Sequence, residues 1–336
     1  MRKIISNLSM VFLVMGWSCA EAGVRFDGKK DFIVIEKEVS GGMNALAITM
    51  WVKGEWKKGG LVLGAAVLNF DRDSGFFLRG RDGKGSGYLT WDRDITQSAG
   101  WRHLAAVWSG PGAADGGKMK LHMDGIRQQN DRSFSGAMRD GGMRICAAFN
   151  QYMGGFQGEM EDFRVYNRAL SESEILSIYL GEEDGKIMEG LVLWYPMKNR
   201  ELELAGGENG RIIQDGSGRG NHGRVNGSPV WNVVGGGRED GERRKKINAT
   251  REWIGRKKME CDEMRRFLAE RFEKRTEKEG NWVARFESLN RRFDAVRTGA
   301  ACCATDLLHG YYDLWAEVVM ADLTGEVIGK TGKKQD

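Results

Sequence analysis

Short segments of alternating apolar and polar residues run from about residue 23 to residue 181, and they constrain the fold more than any other feature. In LAITMWVK, Ile48, Met50 and Val52 share one face of an extended strand, because successive side chains point to opposite sides. KMKLHMDG ends in Asp124-Gly125, a dipeptide typical of hairpin turns. Many such strands without intervening helices predict a mainly β fold, a two-sheet antiparallel sandwich of the jelly-roll type.

Two further segments show the same period of two. FDGKKDFIVI alternates around Phe32 and Val34. WRHLAAVWSG places Leu104, Ala106 and Trp108 on one side of a strand. Period-two patterning of this kind indicates strands with one buried face.

The last part of this block, GEMEDFRVYNRALSESEILSIYL, leads from a strand into a short helix that ends near Leu180. Ser171 is suited to cap the helix, and Glu174 three residues later completes a capping box. Leu170 before the cap and Ile175 after it form a predicted hydrophobic staple.

Taken in order, the segments FDG, DFIVI, ITMWVK, WRHLAAVWSG, KLHMDG and GEMEDFRVYNRALSESEI resemble the laminin-G-like domain of the concanavalin A-like lectin/glucanase superfamily. The resemblance covers residues 24–181. It implies two curved antiparallel sheets and an extracytoplasmic role in binding carbohydrate or protein. It does not imply one ligand, since this fold hosts lectins, adhesion modules and glycosidases.

Two later segments, GLVLWYPM and DGSGRGNHGRVNGSPVW, resemble strands that open this family's domain, yet here they follow the capped helix. This order predicts a circularly permuted sandwich over residues 23–235, in which a main body (23–181) is completed by strands from 190–231. The alternative is a second domain that is truncated after its first hairpin. Permutation is favoured because a lone hairpin has no apolar surface on which Leu191, Leu193 and Trp194 can pack.

Residues 238–336 are highly charged and show helical periodicity. One apolar stripe recurs every seven residues, at Ile247, Ile254, Cys261 and Leu268. Two further amphipathic helices are predicted at about 282–296 and 306–320, giving a helical hairpin or small bundle. These helices either cover each other and the sandwich, or serve as a coiled-coil surface for homo-oligomerisation.

The chain begins with a basic MRK, an apolar run and the small residues AEA, which predicts a signal peptide at residues 1–22. The expected protein is therefore secreted, either extracellular or periplasmic. A lipid anchor on Cys19 is the less favoured alternative, because Gly16 and Trp17 fit that pattern badly. No later segment is apolar enough to predict a membrane span.

The remaining cysteines, Cys146, Cys261, Cys302 and Cys303, allow two interpretations. In an exported protein they can form disulfides, for example between Cys261 and one of the adjacent pair. Alternatively, they are buried thiols. Their spacing does not suggest zinc binding.

Motifs of catalytic or cofactor sites are either incomplete or in the wrong context. GRGNHG at residues 218–223 fits G-x-G-x-x-G, but Gly227 and Pro229 exclude the helix that a dinucleotide site requires, so a glycine turn is predicted. Glu159 and Glu161 can share a strand face, as in sandwich glycosidases, but the sixth position of that pattern is Arg164. We therefore expect a non-catalytic protein.

His103 and His122 lie on predicted strands in unrelated contexts. We expect them to face solvent or to be hydrogen-bonded rather than to act as bases.

The family resemblance implies a structural calcium ion held by loop oxygens, which suit this hard cation. Asp27 in FDG and Asp162 in MEDF occupy positions that are rich in acids in the family. Both are candidate ligands. The alternative is that Asp27 forms a turn and Asp162 caps a loop.

Carbohydrate binding would need exposed aromatic rings beside polar groups. Trp56, Trp91 and Trp101 lie near predicted turns and are candidates. The net charge of +4 gives no concentrated basic face of the kind that nucleic-acid binding requires. The sequence thus predicts a secreted recognition module for a glycan or an extracellular protein, with an assembly protein and a divergent glycoside hydrolase as alternatives.

Overall fold

The structure is a computed structural model. It describes residues 22–39, 43–54, 59–64, 66–71, 74–79, 86–91, 100–139, 141–147, 154–182, 185–197, 203–205, 211–233, 238–272, 284–290, 311 and 314. The predicted signal peptide lies outside these residues, apart from Ala22.

Two antiparallel sheets form a mainly β sandwich, as predicted. In chain order the strands are β1 (Ala22–Asp27), β2 (Phe32–Ile35), β3 (Leu46–Gly54), β4 (Gly59–Leu63), β5 (Ala66–Asp71), β6 (Ser74–Arg79), β7 (Ser86–Leu89), β8 (Arg102–Trp108), β9 (Lys118–Met123), β10 (Ile126–Ser133), β11 (Met143–Ile145), β12 (Gln157–Tyr166), β13 (Leu191–Tyr195), β14 (Glu203–Ala205), β15 (Arg211–Ile213), β16 (Gly223–Asn226) and β17 (Val230–Val233).

The eight-stranded sheet has the order β10-β9-β8-β3-β12-β1-β17, with β13 also paired to β12. The nine-stranded sheet has the order β14-β15-β16-β2-β11-β4-β5-β6-β7. The predicted hairpin turn joins β9 to β10, where Asp124 and Gly125 both have positive φ (52° and 78°). Such a pair matches the right-handed twist of the flanking strands.

The main core lies between the two sheets and follows the predicted alternation in most strands. Ile48, Met50 and Val52 of β3 are all buried there. The face of β2 that meets the core carries Ile33 and Ile35 rather than Phe32 and Val34, which are half-buried. All four side chains are apolar, so the pattern in the sequence does not distinguish the two faces.

Strands from the late segment belong to both sheets. β13 pairs with β12, β17 pairs with β1, and β16 pairs with β2. Leu193 and Tyr195 are fully buried in the core between the sheets. Trp194 points the other way, as alternation along a strand requires, and packs against a second apolar cluster. Leu191 packs in the same cluster, because the pairing of β13 with β12 shifts register between Val165 and Tyr166. Circular permutation relative to the family, and the domain boundaries, remain predictions.

Helix α1 (Glu172–Leu180) begins as predicted. The Ser171 hydroxyl accepts a hydrogen bond from the Glu174 amide, and the Glu174 carboxylate accepts one from the Ser171 amide. The helix ends at Gly181 in a left-handed conformation, which glycine adopts without a steric penalty. Leu170 and Ile175 share one apolar cluster, consistent with the predicted staple. A short 3-10 helix (Gly185–Met188) leads into β13.

Helix α2 (Arg238–Phe272) is 35 residues long and begins the predicted helical region. Ile254, Cys261 and Leu268 of its apolar stripe are buried, and Ile247 is partly buried. Residues 284–290 are also helical, within the predicted second helix. Of the predicted third helix, the structure describes only residues 311 and 314, and both are helical. None of the described helices is both long and apolar enough to cross a membrane.

Candidate ligand-binding face

Part of the outer face of the eight-stranded sheet is covered by α1 and α2. An apolar cluster under α1 and α2 joins strand, loop and helix residues: Trp51, Trp101, Leu176, Tyr179, Leu180 and Ile254. Trp51 is only 1% exposed, and its ring stacks on Tyr179 at 5.4 Å between centroids. A ligand cannot reach these buried rings while the helices lie over them.

Polar contacts fix α2 on this face. The Arg243 guanidinium lies 3.8 Å from the centroid of the Trp51 ring and forms an ion pair with Glu161 at 2.9 Å. Lys246 donates a hydrogen bond to the Trp101 carbonyl at 3.2 Å. Arg251 donates to the Leu180 carbonyl at 2.8 Å. The Glu161 side chain is 3% exposed, so Arg243 supplies the charge that this buried carboxylate requires.

The outer face of the nine-stranded sheet is different, because α1 and α2 pack against the other sheet and several described side chains on this face are exposed or half-buried. A single cross-strand row runs over this face. Its first part is Ile212, Arg224, Val34, Arg144 and Leu63, each opposite the next.

The second part of the row is Val67, Phe77 and Tyr88, again directly opposite one another. Val62 pairs with Leu68, and antiparallel register therefore brings Leu63 beside Val67. From β16 to β7 the row crosses six strand intervals, a span of roughly 29 Å.

Two half-exposed aromatic rings mark one end of this row. Phe77 and Tyr88 meet edge to face, with 6.5 Å between ring centroids. Aromatic faces pack well against the apolar faces of sugar rings, and a tyrosine hydroxyl adds a polar group beside them. Arg79, also half-buried, lies two residues after Phe77 on the same side of β6.

Exposed arginines mark the other part of the row. Arg144 and Arg224 flank Val34 on either side, two strand intervals apart, which is roughly 10 Å. Arg224 forms an ion pair with Glu36 at 3.0 Å, and these side chains are 47% and 70% exposed. We define the open face by six residues: Ile212, Arg224, Val34, Arg144, Phe77 and Tyr88. Val67 lies between the arginines and the aromatic pair and is only 3% exposed, so the accessible side chains form two patches. The aromatic rings and guanidinium groups of the open face can bind a ligand with both apolar faces and oxygen acceptors.

The carboxylates considered for glycoside hydrolysis do not lie on this open face. Glu159 and Glu161 share a face of β12, as the sequence suggested, but they are opposite Lys53 and Trp51 of β3, on the helix side of the sandwich. Glu161 is buried under Arg243. A pair of carboxylates facing an open cleft, which a retaining or inverting glycosidase needs, is not formed by these residues.

The structure does not bring Asp27 and Asp162 together. Asp27 is opposite Gln157, five residues before Asp162 on β12, which corresponds to roughly 16 Å along the strand. The Asp27 carboxylate accepts hydrogen bonds from the amides of residues 29, 30 and 31, a turn like the one predicted. Burial acts to raise the pKa of Asp27, but these amide donors lower it overall.

Asp162 is buried and already bound by protein donors. Both of its oxygens accept hydrogen bonds from Arg164 at 2.9 Å, and Oδ1 also accepts one from the Trp194 indole at 2.8 Å. N–H donors of this kind fit a carboxylate that is bound by protein groups rather than by a metal ion. The described residues also contain no cluster of three His, Cys, Asp or Glu side chains suited to a metal ion. The two aspartates do not fit one shared calcium site, and calcium binding stays a prediction.

His103 and His122 contradict the expectation of solvent-facing or hydrogen-bonded rings. Each is 1% exposed, and none of their ring nitrogens has a hydrogen-bond partner among the described residues. His103 lies against Trp51 and Tyr179, at 5.3 and 5.9 Å between centroids. Burial lowers the pKa of both rings to about 3, so both are neutral. The residues face the helix side of the sheet, which the strand pattern alone cannot show to be covered.

The GRGNHG segment forms a turn, as predicted. Gly218 and Gly220 have positive φ, and β16 follows instead of a helix. Asp215 organises the loop, because its carboxylate accepts hydrogen bonds from the amides of Trp194, Ser217 and Asn221. Burial acts to raise the pKa of Asp215, but these donors lower it overall. The glycines thus serve to close a loop over β13.

The candidate tryptophans do not form a ligand platform on the open face. Trp101 is 4% exposed and lies under α2, so its assignment as an exposed ring is wrong. Trp91 is partly buried and packs against the main core. Trp56 lies outside the described residues.

The cysteines are partly described. Cys146 is a buried free thiol, and burial raises its pKa. Cys261 is buried, and its burial together with Glu260 and Asp262 raises its pKa to about 11. Cys302 and Cys303 lie outside the described residues, so the predicted alternatives for pairing stay open.

Sequence reasoning misses Phe77 and Tyr88 as candidate site residues. A signal exists in SGFFLR, because two successive aromatic residues on a strand must send one ring to each face. The core contains Phe76, which leaves Phe77 on the outside. Its position beside Tyr88 depends on strand register, which the sequence does not reveal.

Comparisons with known proteins show which family part of the chain is similar to. Residues 27–176 match the sequence model of a laminin G family that is described as the concanavalin A-like lectin/glucanases superfamily. A search of curated proteins found no match.

Solved structures with a similar chain trace include a proposed carbohydrate-binding protein from Bacteroides ovatus, at 17% identity and a TM-score of 0.47. That match covers 64% of this chain, which spans about 60% of the Bacteroides protein. Domains LG4-5 of the mouse laminin alpha1 chain match at 16% identity, over 45% of this chain and 44% of that one, with a TM-score of 0.34.

A third similar structure is domain 4 of an extracellular arabinanase from Geobacillus stearothermophilus, in complex with arabinotriose. It matches at 16% identity, over 47% of this chain and 76% of that one, with a TM-score of 0.36.

Proposed function

Because residues 27–176 are a laminin-G-like domain of the concanavalin A-like superfamily, we propose that this chain is an exported, non-catalytic protein that binds a glycan on its open face. The proposal concerns the nine-stranded sheet, since part of the outer face of the other sheet is covered by α1 and α2.

The observation that carries this proposal is the aromatic pair Phe77–Tyr88 in one row with Arg144 and Arg224. The rings supply stacking surfaces, while the guanidinium groups supply several hydrogen-bond donors in a fixed plane. A sugar chain presents the complementary groups, namely apolar ring faces and many oxygen acceptors.

Export is part of the same proposal. Its support is the basic, apolar and small-residue sequence of residues 1–22, which is typical of a signal peptide. An exported glycan binder would meet its ligand at the cell surface or in the periplasm.

The non-catalytic character is supported by the position of Glu159 and Glu161 on the helix side of the sandwich. If the chain is instead a hydrolase, Glu161→Gln will abolish release of sugar from a glycan that it binds. If it is a binding protein, no release will be measured from the wild-type chain either.

The test is a glycan panel with the full chain and two variants. Phe77→Ala removes the aromatic platform, and we expect it to reduce binding by about tenfold or more, as loss of a stacking ring commonly does. Phe267→Ala on α2 is the matched control, because Phe267 is an aromatic ring that is 42% exposed on a helix whose first half packs against the other sheet. Binding of a protein instead of any glycan, or equal binding by both variants, would contradict the proposal.

A further inference from the structure

We propose that the second half of α2 pairs with the same part of α2 in a second copy of this chain, with the two helices antiparallel. This surface takes no part in the proposed glycan binding. The inference depends on one juxtaposition: two exposed apolar side chains lie on a helix face whose charged residues are self-complementary. We define the outward face of α2 by Arg256, Met259, Glu263, Phe267 and Glu270.

The buried stripe of α2 determines where this outward face points. The described contacts of α2 with the sandwich involve residues 243–254, and Ile254 lies in the cluster around Trp51. The helix extends for roughly 27 Å after Ile254. In this second half the stripe continues with Cys261 and Leu268, which are fully buried. The side of the helix opposite the stripe therefore points away from the sandwich.

Met259 and Phe267 lie on that opposite side. Residues four apart are neighbours on a helix surface, so Met259, Glu263 and Phe267 form one row. Met259 is 64% exposed and Phe267 is 42% exposed. Five large apolar side chains are exposed among the described residues, and two of them lie in this row. Burial of both against another surface would remove apolar area from water, which favours association.

The sequence of the outward face fits pairing about a two-fold axis near Glu263. In an antiparallel pair with this axis, each residue lies opposite the one that is equally far from Glu263 in the other direction. Met259 then lies opposite Phe267 of the second copy, and Arg256 lies opposite Glu270. A parallel pair in register would place each charge opposite itself. The charges therefore favour the antiparallel arrangement and a second copy as the partner.

The charged side chains at the ends of the row are exposed. Arg256 is 63% exposed, and its ion pair with Glu252, at 4.0 Å, is a weak surface contact. Glu270 is also exposed. One contact at the axis is unfavourable, because Glu263 faces its own copy. Arg266 of the second copy lies within one helical turn of that carboxylate and offsets part of the repulsion.

The two sandwiches do not collide in this arrangement. Each lies on the stripe side of its own α2, so they are on opposite sides of the helix pair. A contact between two short helix segments is at the low end of interface areas, and we expect a dissociation constant on the order of 10 µM. At submicromolar concentration the chain is then monomeric, and Phe267→Ala serves there as a control for glycan binding.

The experiment is analytical ultracentrifugation of the full chain, from tenfold below to tenfold above the expected dissociation constant. We expect a reversible change from monomer to dimer. Met259→Asp places a charge in the apolar contact and should weaken the dimer by about tenfold or more. Met188→Asp is the matched control, because Met188 is 46% exposed but lies in the short 3-10 helix, and we expect a change within about twofold.

A charge exchange tests the antiparallel register. Arg256→Glu and Glu270→Arg should each weaken the dimer by about tenfold, since each places like charges opposite one another at both ends of the pair. The double variant Arg256→Glu/Glu270→Arg restores the opposite charges and should recover the wild-type dissociation constant within about threefold. Residues 256 and 270 lie roughly 21 Å apart along one helix, so only a second copy can bring them together. Circular dichroism will confirm that the variants are folded.

Glu263→Gln removes the like-charge contact at the axis and should strengthen the dimer by about threefold. A chain that stays monomeric at every concentration overturns the inference, as when its own residues 291–336 cover the outward face. A dimer that Met259→Asp leaves unchanged also overturns it, because the copies then meet through another surface. Failure of the double variant to recover the dimer contradicts the antiparallel pairing.

Discussion

The outer faces of the two sheets have opposite characters, although both belong to one sandwich with one core. The eight-stranded sheet carries two buried histidines, and its fully buried Trp51 and buried Glu161 lie under helices. The nine-stranded sheet carries half-exposed aromatic rings and exposed arginines. The difference indicates that polar and aromatic side chains on the first face stabilise the structure, whereas those on the second are available to a ligand.

The largest predicted effect comes from removing one large aromatic ring from each face and comparing the losses in stability. Trp51→Ala should lower the free energy of unfolding by about 3–5 kcal/mol, since it leaves a cavity under α1 and α2. Phe77→Ala, the matched control, should cost about 1 kcal/mol or less because its ring is half-exposed. Urea unfolding of both variants gives the two values, and equal costs would show that the faces do not differ.

A second substitution tests the buried ion pair that fixes α2. Arg243→Met keeps a long side chain over Trp51 but leaves Glu161 uncompensated, and we expect a loss of about 3 kcal/mol. Arg256→Met on the same helix is the control. Arg256 is 63% exposed and its ion pair with Glu252 is a surface contact, so its loss should be within about 0.5 kcal/mol. The idea fails if thermal unfolding shows no difference between the two variants.

The buried histidines make the eight-stranded sheet sensitive to acid. Their folded pKa of about 3 is below the value of 6.5 for an exposed ring, so protons bind the unfolded chain preferentially. The stability that depends on these neutral rings is therefore fully present above pH 6.5, and it falls as the pH drops from 6.5 towards 3. Each histidine contributes a slope of about 1.4 kcal/mol per pH unit within this window.

Unfolding in urea at pH 7.5, 6.0 and 5.0 measures this slope. His103→Leu should reduce this slope by about half, because it removes one of the two buried rings. An unfolding free energy that is independent of pH over this range would contradict the buried, neutral state of the two rings.

The smallest predicted effect concerns the start of α1. Ser171→Ala removes the hydroxyl that caps the helix and should cost about 1 kcal/mol. Ser177→Ala lies later in the same helix and should change stability by only a few tenths of a kcal/mol. Differential scanning calorimetry of the two variants, Ser171→Ala and Ser177→Ala, measures how much the cap contributes to the stability of the protein. Identical unfolding temperatures of the two variants would show that the Ser171 cap does not stabilise the protein.

Local patterns predict much of the fold. The faces of β3, the turn at Asp124-Gly125 and the capping box at Ser171 follow from alternation, turn preference and capping chemistry. Each depends on residues that are neighbours in sequence. The seven-residue stripe of α2 is similarly local, and Ile254, Cys261 and Leu268 are indeed buried.

The candidate site is much less predictable, because it depends on which surfaces meet. Trp101 and Phe77 illustrate this point. A tryptophan near a turn is exposed only if no other element covers it, and α2 covers Trp101 from far along the chain. Phe77 becomes part of a site only through its register with Tyr88 and Val67. Long-range packing and register are not encoded in a local pattern.

The central claim is that Phe77 and Tyr88 on the nine-stranded sheet are accessible while Trp51 on the eight-stranded sheet is covered by α1 and α2, and hydroxyl-radical footprinting of the full chain tests it most directly. We predict strong oxidation of Phe77 and Tyr88 and protection of Trp51, Trp101 and Tyr179, with Phe77 and Tyr88 becoming protected when a bound polysaccharide is present. Oxidation of Trp51 and Tyr179 at the rate of Phe77, or protection of Trp51 rather than Phe77 by the polysaccharide, would contradict the account.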